Sequence, residues 1–519
     1  MSDLPVSIRG RFKRSVDLTR DFHTAPNIEG YIVTPTAQKV LGQVQESLTE
    51  DRPERAWTLT GPYGGGKSAF ALFAAHVMRG TTSAIEHLRS ADEELAEGFE
   101  GRTDEPFCPV LVGGSRQPLC QALLRGLADS VERFVEDIGE DAEAAADLKS
   151  IAEAARQEVD DEEISDEATA EFFADAAEAV QELTGGGLYI VVDELGKMLE
   201  YAATRPEEGD IFVLQLLAER ASRTAGSDQA SILLTTILHQ AFERYATHLD
   251  QVQRQEWQKV QGRFEDIAYV EPADATLRLL AEAIQVEGGE SLAEMHGESV
   301  SGVIEAANLP KRFDEDETEA LLRRALPLHP TVGLLVGPLF QRLAQNERSL
   351  FAFLAAGEPG GFLDVMRRGA EGDDSLPLYR LDHLYDYLLT TLGATLFNQD
   401  TSKLWAETEA AFGRLEDPTP LSEQLLKQIA LLNFAGEMSG EPLEGGEFLP
   451  AGEFALLGVS AEVDGEEVVI RTSYDAGTRL LESGAVGYDE VGLVRAPLEA
   501  DRRLREEHGI DSRVMHLLG

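Results

Sequence analysis

The chain has 519 residues, 43% of them hydrophobic, which is enough to bury sizeable cores and too long for one ordinary domain. Its formal charge of −49 arises from 94 acidic against 45 basic residues, and only nine of the basic ones are lysine. The acidic excess runs along the whole chain, so it reads as a surface adapted to concentrated salt and says little about partners. No stretch of about 18 apolar residues is present and Met1-Ser2-Asp3-Leu4-Pro5 lacks a charged-then-apolar pattern, so neither a membrane span nor export is expected, and the cytoplasm is the expected compartment. Cys108 and Cys120 stand without a C-x-x-C partner, which argues for buried free thiols over a disulfide framework or metal site.

In chain order, Gly30-Tyr31-Ile32-Val33-Thr34 reads as a short extended piece. It leads through Pro35 into an amphipathic helix over Thr36–Leu48. Ala56–Thr60 reads as a buried strand, and Ala69–Met78 as an apolar helix stopped by Gly80. Between them, Gly61-Pro62-Tyr63-Gly64-Gly65-Gly66-Lys67-Ser68 satisfies the G-x-x-x-x-G-K-[ST] phosphate-binding pattern in full. The pattern needs glycines so that backbone N–H groups can turn inward around phosphates, and a helix start at Ala69 to add positive partial charge. Lys67 would reach the β- and γ-phosphates of ATP, and Ser68 would hold Mg²⁺.

A second strand over Cys108–Gly113 is followed by a helix around Gln117 to Val135. Residues 136–182 are rich in Ala, Glu and Asp and read as solvent-facing helices inserted into the core, broken by Gly185-Gly186-Gly187. The next strand, Leu188–Val192, runs into Asp193 and Glu194. Five consecutive apolar residues suit a parallel strand buried on both faces, and carboxylates at its carboxyl end lie where such sheets bind ligands. Asp193 is the expected second Mg²⁺ residue and Glu194 the expected base for the attacking water. Ser231–Thr236 is a further strand ending in hydroxyls, and Trp257–Tyr269 carries Arg263 just ahead of the last core strand, with Arg254 behind it.

From about residue 276 the chain becomes helical, with Leu328–Phe340 opening a buried helix. The last hundred residues combine a helix over Leu421–Phe434, a strand over Glu467–Thr472 and a helix over Arg479–Val486, the components of a winged-helix-like module. Its recognition-helix candidate carries Asp475 and Glu482 against a single Arg479, a poor charge pattern for phosphate contact, which favours a clamp over a DNA reader. The expected fold class is α/β: a P-loop parallel-sheet core over residues 1–275 with the insertion at 136–182, a helical lid over 276–415, and the winged-helix-like module over 416–519.

The order of strand, glycine loop, strand, insertion, acidic strand, hydroxyl strand, arginine and strand resembles an AAA+ or STAND-like ATPase core over residues 25 to 275. Arg14–Phe22, the glycine loop, Gly262-Arg263-Phe264 and Gln345–Phe351 together resemble the large ATPases of BREX-type prokaryotic phage-defence systems, over about the first 435 residues. The sparse lysine and diffuse acidity resemble haloarchaeal proteins. The resemblance implies that Tyr31, Ile32 and Val33 pack on the adenine, and that Thr236, or Thr235 or His239 near it, senses the γ-phosphate. It also implies that Arg263 acts as an arginine finger toward a neighbouring subunit of a homo-oligomer, and that Arg342 or Arg348 serves as a second sensor. The activity so implied is ATP hydrolysis coupled to conformational change beside DNA or DNA-acting defence proteins. A nucleotide-exchange signalling switch and an origin-recognition-like DNA loader are the alternatives, and a small-molecule kinase fits least.

Overall fold

The computed structural model describes residues 5–12, 16–23, 30–49, 52–62, 64–138, 143–159, 164–205, 211–247, 249–306, 314–343, 350–370, 376–393, scattered positions between 405 and 431, and 459–464 with 467–472. Its strands are β1 (Val6–Ile8), β2 (Ala56–Thr60), β3 (Cys108–Val112), β4 (Leu188–Val192), β5 (Ile232–Leu238), β6 (Glu265–Ala268), β7 (Ile284–Val286), β8 (Val459–Asp464) and β9 (Glu467–Thr472). The chain divides into two compact units, residues 15–271 and residues 1–14 with 272–519. The first fourteen residues, read from sequence as part of the core, therefore belong with the C-terminal unit, and the division falls at 271 rather than 275.

Residues 15–271 are α/β, built on a five-stranded parallel sheet in the order β3-β4-β5-β2-β6. Parallel pairing requires long crossovers, which the helices supply, and those helices cover both faces. Alternation along each strand sorts its residues between the faces. Leu188, Ile190 and Val192 join the helices Leu119–Ile138, Glu143–Val159, Asp166–Thr184 and Phe212–Arg223 in one core. Tyr189 and Val191 face the other core, with the helices Pro35–Thr49 and Lys67–Met78. Fully burying one such aliphatic or aromatic side chain contributes roughly 1.5–3 kcal/mol, so these two layers hold the sheet.

The inserted helices are more deeply integrated than their composition suggests. Ala145, Leu148, Ala152 and Ala155 recur at helical spacing and are buried in the first of these cores. Ser165 starts the second inserted helix by accepting a hydrogen bond from the Ala168 amide at 3.0 Å.

In the other unit, β1 pairs antiparallel with β7, with Ser7 opposite Gln285. The helices Ala273–Ala283, Glu315–Arg324, Pro330–Leu343 and Leu381–Leu392 pack around Leu280, Leu335, Leu339, Phe353 and Tyr387. Arg9 ties the N-terminal strand to Glu282 at 2.9 Å. Strands β8 and β9 form an antiparallel hairpin, whereas the candidate helix at 479–486 lies outside the described residues. Among the described residues no helix is long and apolar enough to cross a membrane.

Candidate functional site

The carboxyl ends of β2, β4 and β5 bring the loop after β2 beside Asp193 and Glu194. Topology is responsible: β5 lies between β2 and β4, and Thr236 stands in register with Thr58 on one side and Val192 on the other. The Gly61 amide donates to the Leu238 carbonyl at 3.2 Å, fixing where the loop leaves the sheet. A Cβ at Gly61 would stand 2.2 Å from the Tyr269 carbonyl oxygen, so only glycine fits there. Gly66 adopts the left-handed region, φ +84°, and caps the Lys67–Met78 helix with no side-chain hydrogen bond to its first amides. Gly64 and Gly65 complete the described loop, Pro62 and Ala69 are half-buried beside it, and Tyr63 lies outside the described residues.

Lys67 is 7% exposed, and its Nζ donates to the Gly61 and Pro62 carbonyls at 2.7 Å each. Burial lowers its pKa to about 8, with the Asp193 charge pulling the other way. Asp193 is likewise 7% exposed. Burial pushes its carboxyl pKa up, against hydrogen bonds from Ser68 and from the Glu194 amide, the latter at 2.8 Å. Ser68 and Asp193, far apart in sequence, are thus in contact. Among the described residues no three His, Cys, Asp or Glu side chains gather into a metal cluster.

Glu194 follows the end of β4 in the left-handed region, φ 49°, the only non-glycine there among the described residues. Such a conformation costs roughly 1–3 kcal/mol and persists where the surroundings impose it. The Lys197 ammonium pairs with its carboxylate one turn along the Leu195–Thr204 helix. The i, i+3 spacing was visible in the sequence, but Lys197 was not singled out there.

Thr236 sits elsewhere than expected. β5 continues two residues beyond it to Leu238, and its hydroxyl is fully buried against Thr58 Oγ1 at 3.0 Å and the Trp57 carbonyl at 3.3 Å. Thr235 points to the opposite face, against the Tyr189 hydroxyl at 3.2 Å. The polar group at the strand's end is His239, half-buried and 3.0 Å from the Tyr245 hydroxyl. Its pKa is lowered by burial first and by the Lys67 charge second, which places the two in electrostatic reach.

The 31–36 segment lies across residues 269–271: the Tyr31 and Tyr269 hydroxyls are 3.4 Å apart, Thr34 donates to Glu271 at 2.7 Å, and Thr36 donates to the Val270 carbonyl at 3.3 Å. Tyr31 stacks on Phe73 at 4.6 Å, and Ile32 and Val33 are half-buried beside it. Arg263 is exposed on the turn before β6 and pairs with Glu219 at 3.1 Å, away from the residues just described. Arg254 is exposed on the preceding helix, and Arg348 and the Arg342 side chain lie outside the described residues. Both thiols are buried, and burial pushes the Cys108 thiol up to about 12, so no thiolate nucleophile is available there.

No family model matches the chain, and no solved structure matches it. A stretch of 90 residues is 46% identical to part of a protein described as arginine deiminase from Halobacterium salinarum (strain ATCC 29341 / DSM 671 / R1), covering 14% of this chain and 18% of that protein. A match of that extent assigns neither a family nor a reaction.

Proposed function

We propose that residues 15–271 form a P-loop ATPase core that binds ATP with Mg²⁺ and hydrolyses it. The observation that carries this reading is the buried Lys67 held against its own loop carbonyls at the head of an uncapped helix, beside the Ser68–Asp193 contact. The free amides of that helix's first turn and the Lys67 ammonium suit a triphosphate, which would take over Lys67 from the Gly61 and Pro62 carbonyls. The donor set fits a hard cation, since Ser68 and Asp193 offer two oxygens already in contact; the cation would neutralise phosphate charge. Glu194 takes a proton from the attacking water as the terminal P–O bond breaks, and His239 is the polar reporter at the end of β5 in place of Thr236. Tyr31, Ile32 and Val33 are the residues for the base, since they cross the segment whose Tyr269 carbonyl abuts Gly61.

The lowered pKa of Lys67 gives this reading a pH signature. ATP binds the charged ammonium, so the contribution of Lys67 to affinity is fully present below about pH 8 and falls as pH rises through it. Titration of a fluorescent ATP analogue should show a loss of up to ~tenfold per pH unit above that point, and Lys67→Arg should move the loss beyond the accessible range. Affinity unchanged to about pH 10 would remove Lys67 from the phosphate site.

The resemblance to phage-defence ATPases supports coupling of turnover to a conformational change in a complex with DNA or DNA-acting proteins. In that setting Arg263 completes a neighbouring subunit's site in a homo-oligomer. Arg263→Ala should lower turnover at least ~tenfold in the associated form, with association unchanged by light scattering; full turnover in the associated variant would reject the finger. The Glu194–Lys197 ion pair favours a second reading, a nucleotide-exchange switch, because it occupies the base. Tight ATP binding with negligible turnover at every protein concentration, with and without DNA, would select it.

A further inference from the structure

The strongest feature outside the phosphate site is a cavity of about 230 Å³ against the edge strand β3, between the helices Leu18–His23 and Leu119–Ile138. Acidic residues outnumber basic ones about two to one in this chain, yet three arginines, Arg79, Arg125 and Arg133, line the cavity against two carboxylates, Asp129 and Asp137, with His23 beside them. Asp129 is taken from outside by Arg156 at 2.9 Å. Asp137 lies 3.7 Å from Arg79, whose guanidinium also rests over the Phe134 ring at 4.5 Å. Arg125 bonds only the neutral Gln117, at 3.0 Å, and Arg133 makes no hydrogen bond or ion pair among the described residues. Phe22, stacked on His76 at 4.2 Å, supplies an apolar wall.

From this arrangement we infer that the cavity binds a small phosphorylated molecule, its phosphate on Arg125 and Arg133 and its body against Phe22. Guanidinium forks match phosphate oxygens in pairs, and direct pairing of that kind survives concentrated salt, where screening shortens charge interactions to about 3 Å. The volume lies below the roughly 300–1,000 Å³ of drug-sized ligand sites, so a ligand as small as a sugar phosphate is the class proposed. The site is also connected to the carboxylates. Val112 and Gly113 line it, the Asp193 amide donates to the Val112 carbonyl at 2.9 Å, and a Cβ on Gly114 would stand 2.4 Å from the Glu194 carbonyl oxygen. On the ATPase reading, an occupant would therefore bear on Glu194 through the end of β3 and alter turnover.

Binding is tested independently of that reading, by calorimetry in molar KCl with ribose 5-phosphate, glycerol 3-phosphate and inorganic phosphate as probes. One site per chain is expected, retained in Lys67→Ala and weakened at least ~tenfold in Arg125→Ser/Arg133→Ser and in Thr19→Glu, which places a carboxylate at the cavity wall. All these positions other than Lys67 are exposed, and circular dichroism verifies that each variant folds. Inorganic phosphate binding as tightly as the monoesters would support the arginine site for the phosphate group and overturn the contact of the body with Phe22. Three results would overturn it: no heat from any probe at about 10 mM; affinity lost in Lys67→Ala but kept in the arginine variant; or a single-stranded oligonucleotide bound through these arginines while every small probe fails. Failure of ribose 5-phosphate to change turnover, with binding intact, would remove only the coupling.

Discussion

Glu194→Gln should leave ATP bound while lowering turnover by roughly 100- to 10,000-fold, the range a positioned general base supplies. The change keeps the side chain's size and removes its ability to take a proton. Lys67, Ser68 and Asp193 are untouched, so affinity should stay within about threefold of the parent. The ion pair with Lys197 sharpens the expectation. The neutral amide would release that ammonium, so a variant that bound ATP more tightly and turned over slowly would still identify Glu194 as the base. Quench-flow measurement of a single turnover separates the chemical step from product release. Full-rate turnover in the variant would mean that another group takes the proton.

Lys67→Ala should cost roughly 10- to 100-fold in ATP affinity, since a hydrogen bond from a charged group contributes about 1.5–3 kcal/mol. The structure also forecasts an effect without nucleotide. The Gly61 and Pro62 carbonyls each accept from the ammonium at 2.7 Å and would lose that donor, so the loop should loosen. Hydrogen exchange over residues 61–68 should therefore quicken in the variant even before ATP is added. Unchanged affinity together with unchanged exchange would mean that the lysine neither orders the loop nor meets phosphate.

Buried parallel strands were the most legible part of the sequence. Ala56–Thr60 and Leu188–Val192 are continuous apolar or β-branched runs bounded by turn residues, and two covered faces leave no room for polar alternation. The turn between strand and helix was legible for a different reason: Gly61 meets the Tyr269 carbonyl too closely for a Cβ and Gly66 takes a positive φ, both positions that require glycine. β5 was read two residues short, since Thr235 and Thr236 look like an exposed strand end when each hydroxyl in fact finds a partner on an adjacent strand. That cross-strand pairing is a tertiary fact which spacing along the chain does not encode. The same holds for β1 and β7, three-residue strands that pair across most of the chain. The inserted helices were misjudged by composition: alanine carries little hydrophobic weight in a count, but a stripe of it allows close helix packing. Lys197 was missed although its spacing from Glu194 was in plain view, because a single acidic–basic pair on a helix is ordinarily a solvated contact.

ATP hydrolysis by this chain is tested by phosphate release from ATP by the full chain in molar KCl, with and without Mg²⁺, over a range of protein concentrations. Saturable, Mg²⁺-dependent release that disappears in Lys67→Ala and in Glu194→Gln is expected. Absence of both ATP binding and phosphate release in the folded wild-type protein would contradict it.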